Sequence, residues 1–294
     1  MHLSRAGLWT FQLDLQPASA ARETVAELEE LGYRTVWIPE AVGREPFVNS
    51  ALLLGATQQL VVATGIVGIW GRDAMTMAAG QLSLNEAFEG RFLLGVGVSH
   101  QPMVDFVRGH QYDKPLSKMR DYLDAMDRAI YMAPRPADEP RRVLAALGPR
   151  MLELAAAKAL GAHPYFVPVE HTAFARGVLG DGPMLCPEQA VVLNADAEQA
   201  RAAARLHMAT YLTLPNYTNN LRRLGWTDDD LADGGSDKLV DAIVAWGDED
   251  AILARVQAHL DAGADHVCVQ VLGANATALP IEEWRRLAEP LRSL

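Results

Sequence analysis

The chain has 294 residues, half of them apolar and 21% charged, with a net charge of −11. This length buries a sizeable core, and the acidic balance excludes general binding to nucleic acid or to an anionic membrane face, both of which need a basic surface. No uninterrupted apolar stretch spans a bilayer and no secretory signal opens the chain, so a cytoplasmic protein is expected.

Two cysteines in this length fit a reducing cytosol. Cys268 lies in the apolar run Val267–Val271 and reads as a small buried hydrophobe. Cys186 stands beside Pro187 at a loop-to-strand edge, and a disulfide between the two stays open.

A unit recurs along the chain: an amphipathic helix, a glycine, then a short apolar strand. Gly7 to Leu13 reads as the first strand. Ala21, Val25, Leu28 and Leu31 share a helical face, Gly32 follows as a left-handed cap, and Thr35–Ile38 is the second strand. Leu60 to Trp70 is a long third strand rich in Val and Ile, and Phe92 to Val98 is the fourth. Val143–Leu147, His163–Val167 after Gly161, Ala190–Leu193, and His266–Val271 after Gly263 complete eight. Helices are expected near 19–31, 46–58, 74–88, 117–132, 150–160, 169–179, 196–212 and 249–262, and a last one from Glu282 to Leu291. Eight alternating units predict a (β/α)8 TIM barrel in a single domain over 1–294, with a doubly wound open sheet as the alternative. Two stretches exceed a bare barrel: 100–117 after the fourth strand and 214–246 before the eighth, expected as insertions that form lids or binding loops.

Barrel sites form at the C-terminal ends of strands. Those ends hold Trp9, Phe11 and Gln12; Pro39 and Glu40; Thr64, Gly65 and Ile66, then Trp70 and Arg72; Ser99 and His100; Gly148, Pro149 and Arg150; His163, Pro164 and Tyr165; and Gln270. Such a mixed aromatic, small and polar lining suits a large flat ligand. Gly95 and Gly97 let another backbone or a flat ligand approach, or simply relieve crowding inside the barrel. His100 taken alone reads as a solvated loop histidine, Glu40 as a surface carboxylate capping the next helix, and Arg72 as a partner of Asp73 or Glu86. No HExxH or paired CxxC spacing supports a metal, no GxSxG elbow is present, and Gly95-Val-Gly97 lacks the third glycine of a dinucleotide fingerprint.

The chain resembles the luciferase-like monooxygenase superfamily, and within it the actinobacterial oxidoreductases that use the deazaflavin coenzyme F420. The resemblance rests on Trp37-Ile-Pro-Glu40, Ala63-Thr-Gly-Ile66 with Arg72-Asp73, Gly90-Arg-Phe-Leu-Leu-Gly-Val-Gly-Val-Ser-His100, Ala145-Ala-Leu-Gly-Pro149, Gly161-Ala-His-Pro-Tyr165, Leu214-Pro-Asn-Tyr217, and Ser236-Asp237 with Trp246-Gly247. It implies a homodimeric barrel that binds a flat isoalloxazine-type ring and acts on a small-molecule substrate. It further implies a non-proline cis peptide at Gly65–Ile66 behind the ring. Thr64, Gly65, Ile66, Gly97, Ser99, Gly148, His163 and Pro164 are the cofactor-binding residues it points to. Glu40 or His100 would donate the proton that accompanies hydride transfer, the other orienting substrate or ring. Backbone N–H groups at Gly148 would meet the cofactor phosphate, with Arg150 and Lys114 as salt partners of its acidic tail. Relatives often carry a proline after the arginine where this chain has Arg72-Asp73-Ala74, which leaves the start of that helix less fixed. An FMN-dependent monooxygenase of the same superfamily and a non-catalytic flavin-binding barrel are the alternatives.

Overall fold

The short apolar runs become parallel strands, because each is too short for a helix and is bounded by glycine or polar residues. The structure is a computed structural model and describes residues 3–273 and 275–294. In chain order the strands are β1 Ala6–Trp9, β2 Thr35–Ile38, β3 Val61–Thr64, β4 Val67–Gly68, β5 Phe92–Gly97 and β6 Arg142–Leu144. They continue with β7 Gly161–Ala162, β8 Met184–Leu185, β9 Glu188–Val192, β10 Val244–Trp246 and β11 Val267–Val271.

They form one curled parallel sheet in the order β10-β9-β11-β1-β2-β3-β5-β6-β7-β8, with β4 paired to β5. One chain run serves both flanks of the path. Met184–Leu185 pairs with β7, while Glu188–Val192 pairs with β11. Pro187, which has no N–H, separates the two halves of that run. Backbone bonds continue on either side of it: Cys186 N–H to Ala162 O and Glu188 N–H to Pro164 O, each 2.9 Å.

Side chains alternate across the sheet as strand geometry requires. Val36, Val62, Leu94, Val191 and Val269 pack in the large core cluster with the helices. Trp37, Ala63, Leu93, Val143, Cys186 and Cys268, with Trp9, fill a separate cluster on the other face. Both cysteines are buried and free.

Four expectations change. The first strand stops at Trp9, and Gln12–Leu15 turns into a 3-10 helix. The long third strand is broken into β3 and β4 by the Gly65–Ile66 peptide, which is cis as the resemblance implies. The strand expected at His163–Val167 lies earlier, at Gly161–Ala162. Gly161 is therefore no helix cap: a Cβ there would lie 1.8 Å from Met184 O, so close strand packing selects glycine. Gly32 and Gly263 do cap, at φ 98° and 101°.

The two long stretches are largely ordered into elements. Residues 100–117 contain a π-helical turn, Met103–Val107. Residues 214–246 fold as helices Pro215–Arg223 and Asp237–Ile243, a one-turn helix Asp228–Leu231, and β10. These helices bring Tyr217, Leu221, Leu239 and Val240 into a third cluster with Phe166, Ala190 and Val192. Among the described residues, no helix is long and apolar enough to cross a membrane and no side-chain cluster suits a metal ion.

Candidate active site

The break between β3 and β4 organises the site. Thr64 Oγ1 donates to Gly95 O at 2.9 Å and accepts from Gly95 N–H at 2.8 Å, so its hydroxyl is used to join the strands. Gly65 N–H donates to Ile38 O, and Ile66 O accepts from Glu40 N–H. The glycines of β5 accommodate this bulge. A Cβ on Gly95 would lie 1.9 Å from Thr64 O, and one on Gly97 would lie 2.4 Å from Ile66 Cδ1. The space that glycine opens is thus filled by protein, and the bulge itself forms the surface presented at the strand ends.

Beside Gly65 stand two buried nitrogens, Trp9 Nε1 and His163 Nε2, neither with a hydrogen-bond partner. A Cβ on Gly65 would meet them at 2.3 and 3.2 Å, so both converge on that glycine. His163 Nδ1 donates to Cys186 O at 2.7 Å, which leaves Nε2 as an acceptor. Its ring stacks on Trp37 at 4.5 Å, and burial pulls its pKa down to about 4.

Glu40 follows β2 and is nearly buried. Its Oε2 accepts from Gly68 N–H at 2.6 Å, and its Oε1 pairs with Arg72 at 2.9 Å and Arg108 at 3.2 Å. All of these partners are donors, so both carboxylate oxygens act as acceptors. Arg72 pairs with Glu40 and with Glu45, and it is Glu45 that caps helix Pro46–Leu54. Asp73 caps helix Ala74–Ala87 through Thr76 N–H, which fixes the helix start without a proline.

Ser99, at the end of β5, adopts φ 56°, a left-handed conformation uncommon for serine. His100 follows it. Asn216 Oδ1 accepts from His100 Nδ1 at 3.1 Å, and the ring packs on Tyr217 at 5.2 Å. Burial holds the imidazole below its ordinary pKa, and the Asn216 bond opposes the shift. Neutral His100 therefore carries its proton on Nδ1 and offers Nε2 as an acceptor. His100 and Glu40 are not bonded to each other; they stand at the two ends of one segment, since Arg108 on Glu40 follows His100 by eight residues.

An aromatic wall links the strand ends. Trp9 packs on Tyr165 at 5.1 Å, and Tyr165 on Tyr211 at 5.2 Å and Tyr217 at 6.3 Å. Tyr211 donates to Tyr165 Oη at 2.9 Å, and Tyr165 donates to Gln270 Oε1 at 2.8 Å. Burial raises both phenols, Tyr211 to about 12.

Gly148 precedes helix Pro149–Lys158; Pro149 has no N–H, and the N–H groups of Met151 and Leu152 both donate to Gly148 O at 3.1 Å. Arg223 Nη2 lies 3.6 Å from where a Gly148 Cβ would stand, and Arg223 donates to Asn220 Oδ1 at 2.9 Å. Asn220 Nδ2 is buried and unpartnered. Arg150 is exposed on the helix, and Lys114 is an exposed residue beside Asp113. Arg108, Asn220 and Arg223 carry no pattern that sequence reading picks up. Asn216 and Tyr217 were visible only as part of the Leu214-Pro-Asn-Tyr217 motif.

The sequence model of the luciferase-like monooxygenase family matches residues 2–266. The chain belongs to that family. This luciferase-like chain is an enzyme. It is 32% identical over 109 residues to a protein of Mycobacterium tuberculosis provisionally named a coenzyme F420-dependent oxidoreductase; that match covers 37% of this chain and 31% of the relative. It is 26% identical over 283 residues to the 5,10-methylenetetrahydromethanopterin reductase of Methanolobus tindarius, covering 81% and 86%. Its backbone follows that of an F420-dependent secondary alcohol dehydrogenase with a TM-score of 0.78 at 13% identity over 99% of both chains. It also follows monooxygenase RslO1 from Streptomyces bottropensis, at 0.71 and 18% over 98% of both. The structural likenesses establish a shared fold.

Proposed function

We propose that this luciferase-like enzyme transfers a hydride between coenzyme F420 and a small organic substrate. The supporting observation is the site's set of unpartnered polar groups at the strand ends. Trp9 Nε1 as donor and His163 Nε2 as acceptor, both buried beside Gly65, fit the polar edge of a flat ring. Arg223, whose Nη2 stands beside Gly148 at a helix N-terminus, fits a phosphate. The name of one relative in sequence, and that of a neighbour in fold, favour F420. FMN is the alternative, because monooxygenases share this backbone.

When bound, a deazaflavin supplies hydride chemistry at its ring carbon. The protein supplies position, dryness and proton movement. Gly65, Ile66 and Pro164 would form the surface against the ring, with Gly97 seating Ile66; Thr64 and Ser99 fix the backbone around it. His100 Nε2 takes the proton of the substrate heteroatom when the substrate carbon loses hydride, and returns it in the reverse direction. Glu40, tied to two arginines, orients rather than donates. We place these parts on one (β/α)8 barrel over 1–294, closed through the run Met184–Val192, with 100–117 and 214–246 as insertions over the mouth. We further propose a cytoplasmic homodimer.

Oxidation of reduced F420 against a panel of small carbonyl compounds, followed by its absorbance, tests the reading. His100→Ala should lower kcat about 100-fold or more with little change in cofactor affinity. Glu40→Gln should mainly raise KM. Unchanged turnover in His100→Ala would contradict the assignment.

A further inference from the structure

Glu188 opens β9 and is 2% exposed. One carboxyl oxygen, Oε2, accepts from Phe166 N–H at 3.1 Å; the other, Oε1, is buried with no partner. The titratable groups that face it are Tyr165 after β7, Tyr211 on helix Ala197–Tyr211, Tyr217 on helix Pro215–Arg223, and Cys268 on β11. Burial moves the pKa of each of these groups upward, so all are neutral at physiological pH. No cation meets the carboxyl among the described residues, and a buried charge without a partner is costly.

The bond to Phe166 bears on helix Pro215–Arg223. Phe166 adopts φ 58°, a rare conformation for a bulky side chain. Its ring lies 5.0 Å from Tyr211 and 5.4 Å from Tyr217. Tyr217 in turn packs on His100, and its neighbour Asn216 bonds His100 Nδ1. A contiguous path therefore runs from Glu188 through Phe166 and Tyr217 to His100.

We propose that Glu188 is a positioning residue, held as a neutral acid, that seats helix Pro215–Arg223 on the strand ends and thereby fixes His100. When Glu188 loses its proton, the charge is stable only if the aromatic cover lifts and admits water. Burial pushes this carboxyl up to about 8, in line with the geometry. The role given to His100 rests on the proposed function; the seating of the helix does not.

Hydrogen exchange of the protein without any cofactor, measured across pH and corrected for intrinsic rates, tests this. The closed form binds the proton more tightly than the open form. Protection of residues 215–223 should therefore fall about tenfold per pH unit between the ordinary glutamate value of 4.5 and about 8, then level off. In Glu188→Gln the protection should not fall as pH rises. Identical pH dependence in both proteins overturns the proposal. Infrared spectra of the unaltered protein supply a second reading that needs no variant: a protonated carboxylic acid band should be present at neutral pH and fade above about 8. A missing band at neutral pH also overturns it. Loss of F420 binding would leave both measurements untouched, so the two readings fail separately.

Discussion

At Gly95 and Gly97 two glycines of one strand have different work. Gly95 must admit the Thr64 carbonyl, a backbone atom that cannot move aside, whereas Gly97 admits the far end of the flexible Ile66 side chain. Gly95→Ala is therefore expected to destabilise the protein by about 3 kcal/mol or more, and Gly97→Ala by about 1 kcal/mol. Urea unfolding of both variants checks this order. Gly97→Ala should also push Ile66 outward and weaken cofactor binding without unfolding the chain. The glycine pair was evident in the sequence as a place of close approach. What approaches was not, because the filler comes from a different strand whose cis bond only the resemblance suggested. Glu40 shows a similar limit. Its position after β2 was readable, but Arg108 reaches it from a segment with no periodicity, so the carboxylate's donors were hidden.

The elements that hold His100 come from two distant stretches, the end of β5 and the helix Pro215–Arg223. Asn216 sets the tautomer by accepting from Nδ1. Asn216→Asp keeps an acceptor there and adds a negative charge, which favours the imidazolium. The His100 limb of the pH–rate profile should move to higher pH in that variant, by about one unit. A profile that does not move would show that the helix does not govern this histidine. Strong helical periodicity and glycine caps made most outer helices readable. The β10 strand and helices Pro215–Arg223 and Asp237–Ile243 escaped, because their apolar residues bury against Phe166, Ala190 and Val192 rather than in the main core, and so follow no single amphipathic stripe.

Among the described residues, burial holds five histidines well below the ordinary imidazole value of 6.5: His163, His171, His207 and His266 at about 4, and His259 at about 3. Unfolding frees them to take up protons. Their folded pKa values are depressed, so the stability they contribute is full above about 6.5 and is lost as pH falls toward 4. The melting temperature should drop steeply over that window, with uptake of up to five protons. A melting temperature flat between these pH values would mean that the histidines are not buried neutral. Sequence alone showed scattered histidines without metal spacing; burial is a property of the assembled layers and so was not visible. The alternation of strand and helix did reveal the parallel sheet, because that period is set locally. The proposed function requires that the strand ends accept a deazaflavin. Fluorescence titration of the purified protein with F420 and with FMN tests it most directly. F420 should bind saturably, and Arg223→Ala should weaken that binding about tenfold; tight binding of FMN with none of F420 would rule out a deazaflavin site.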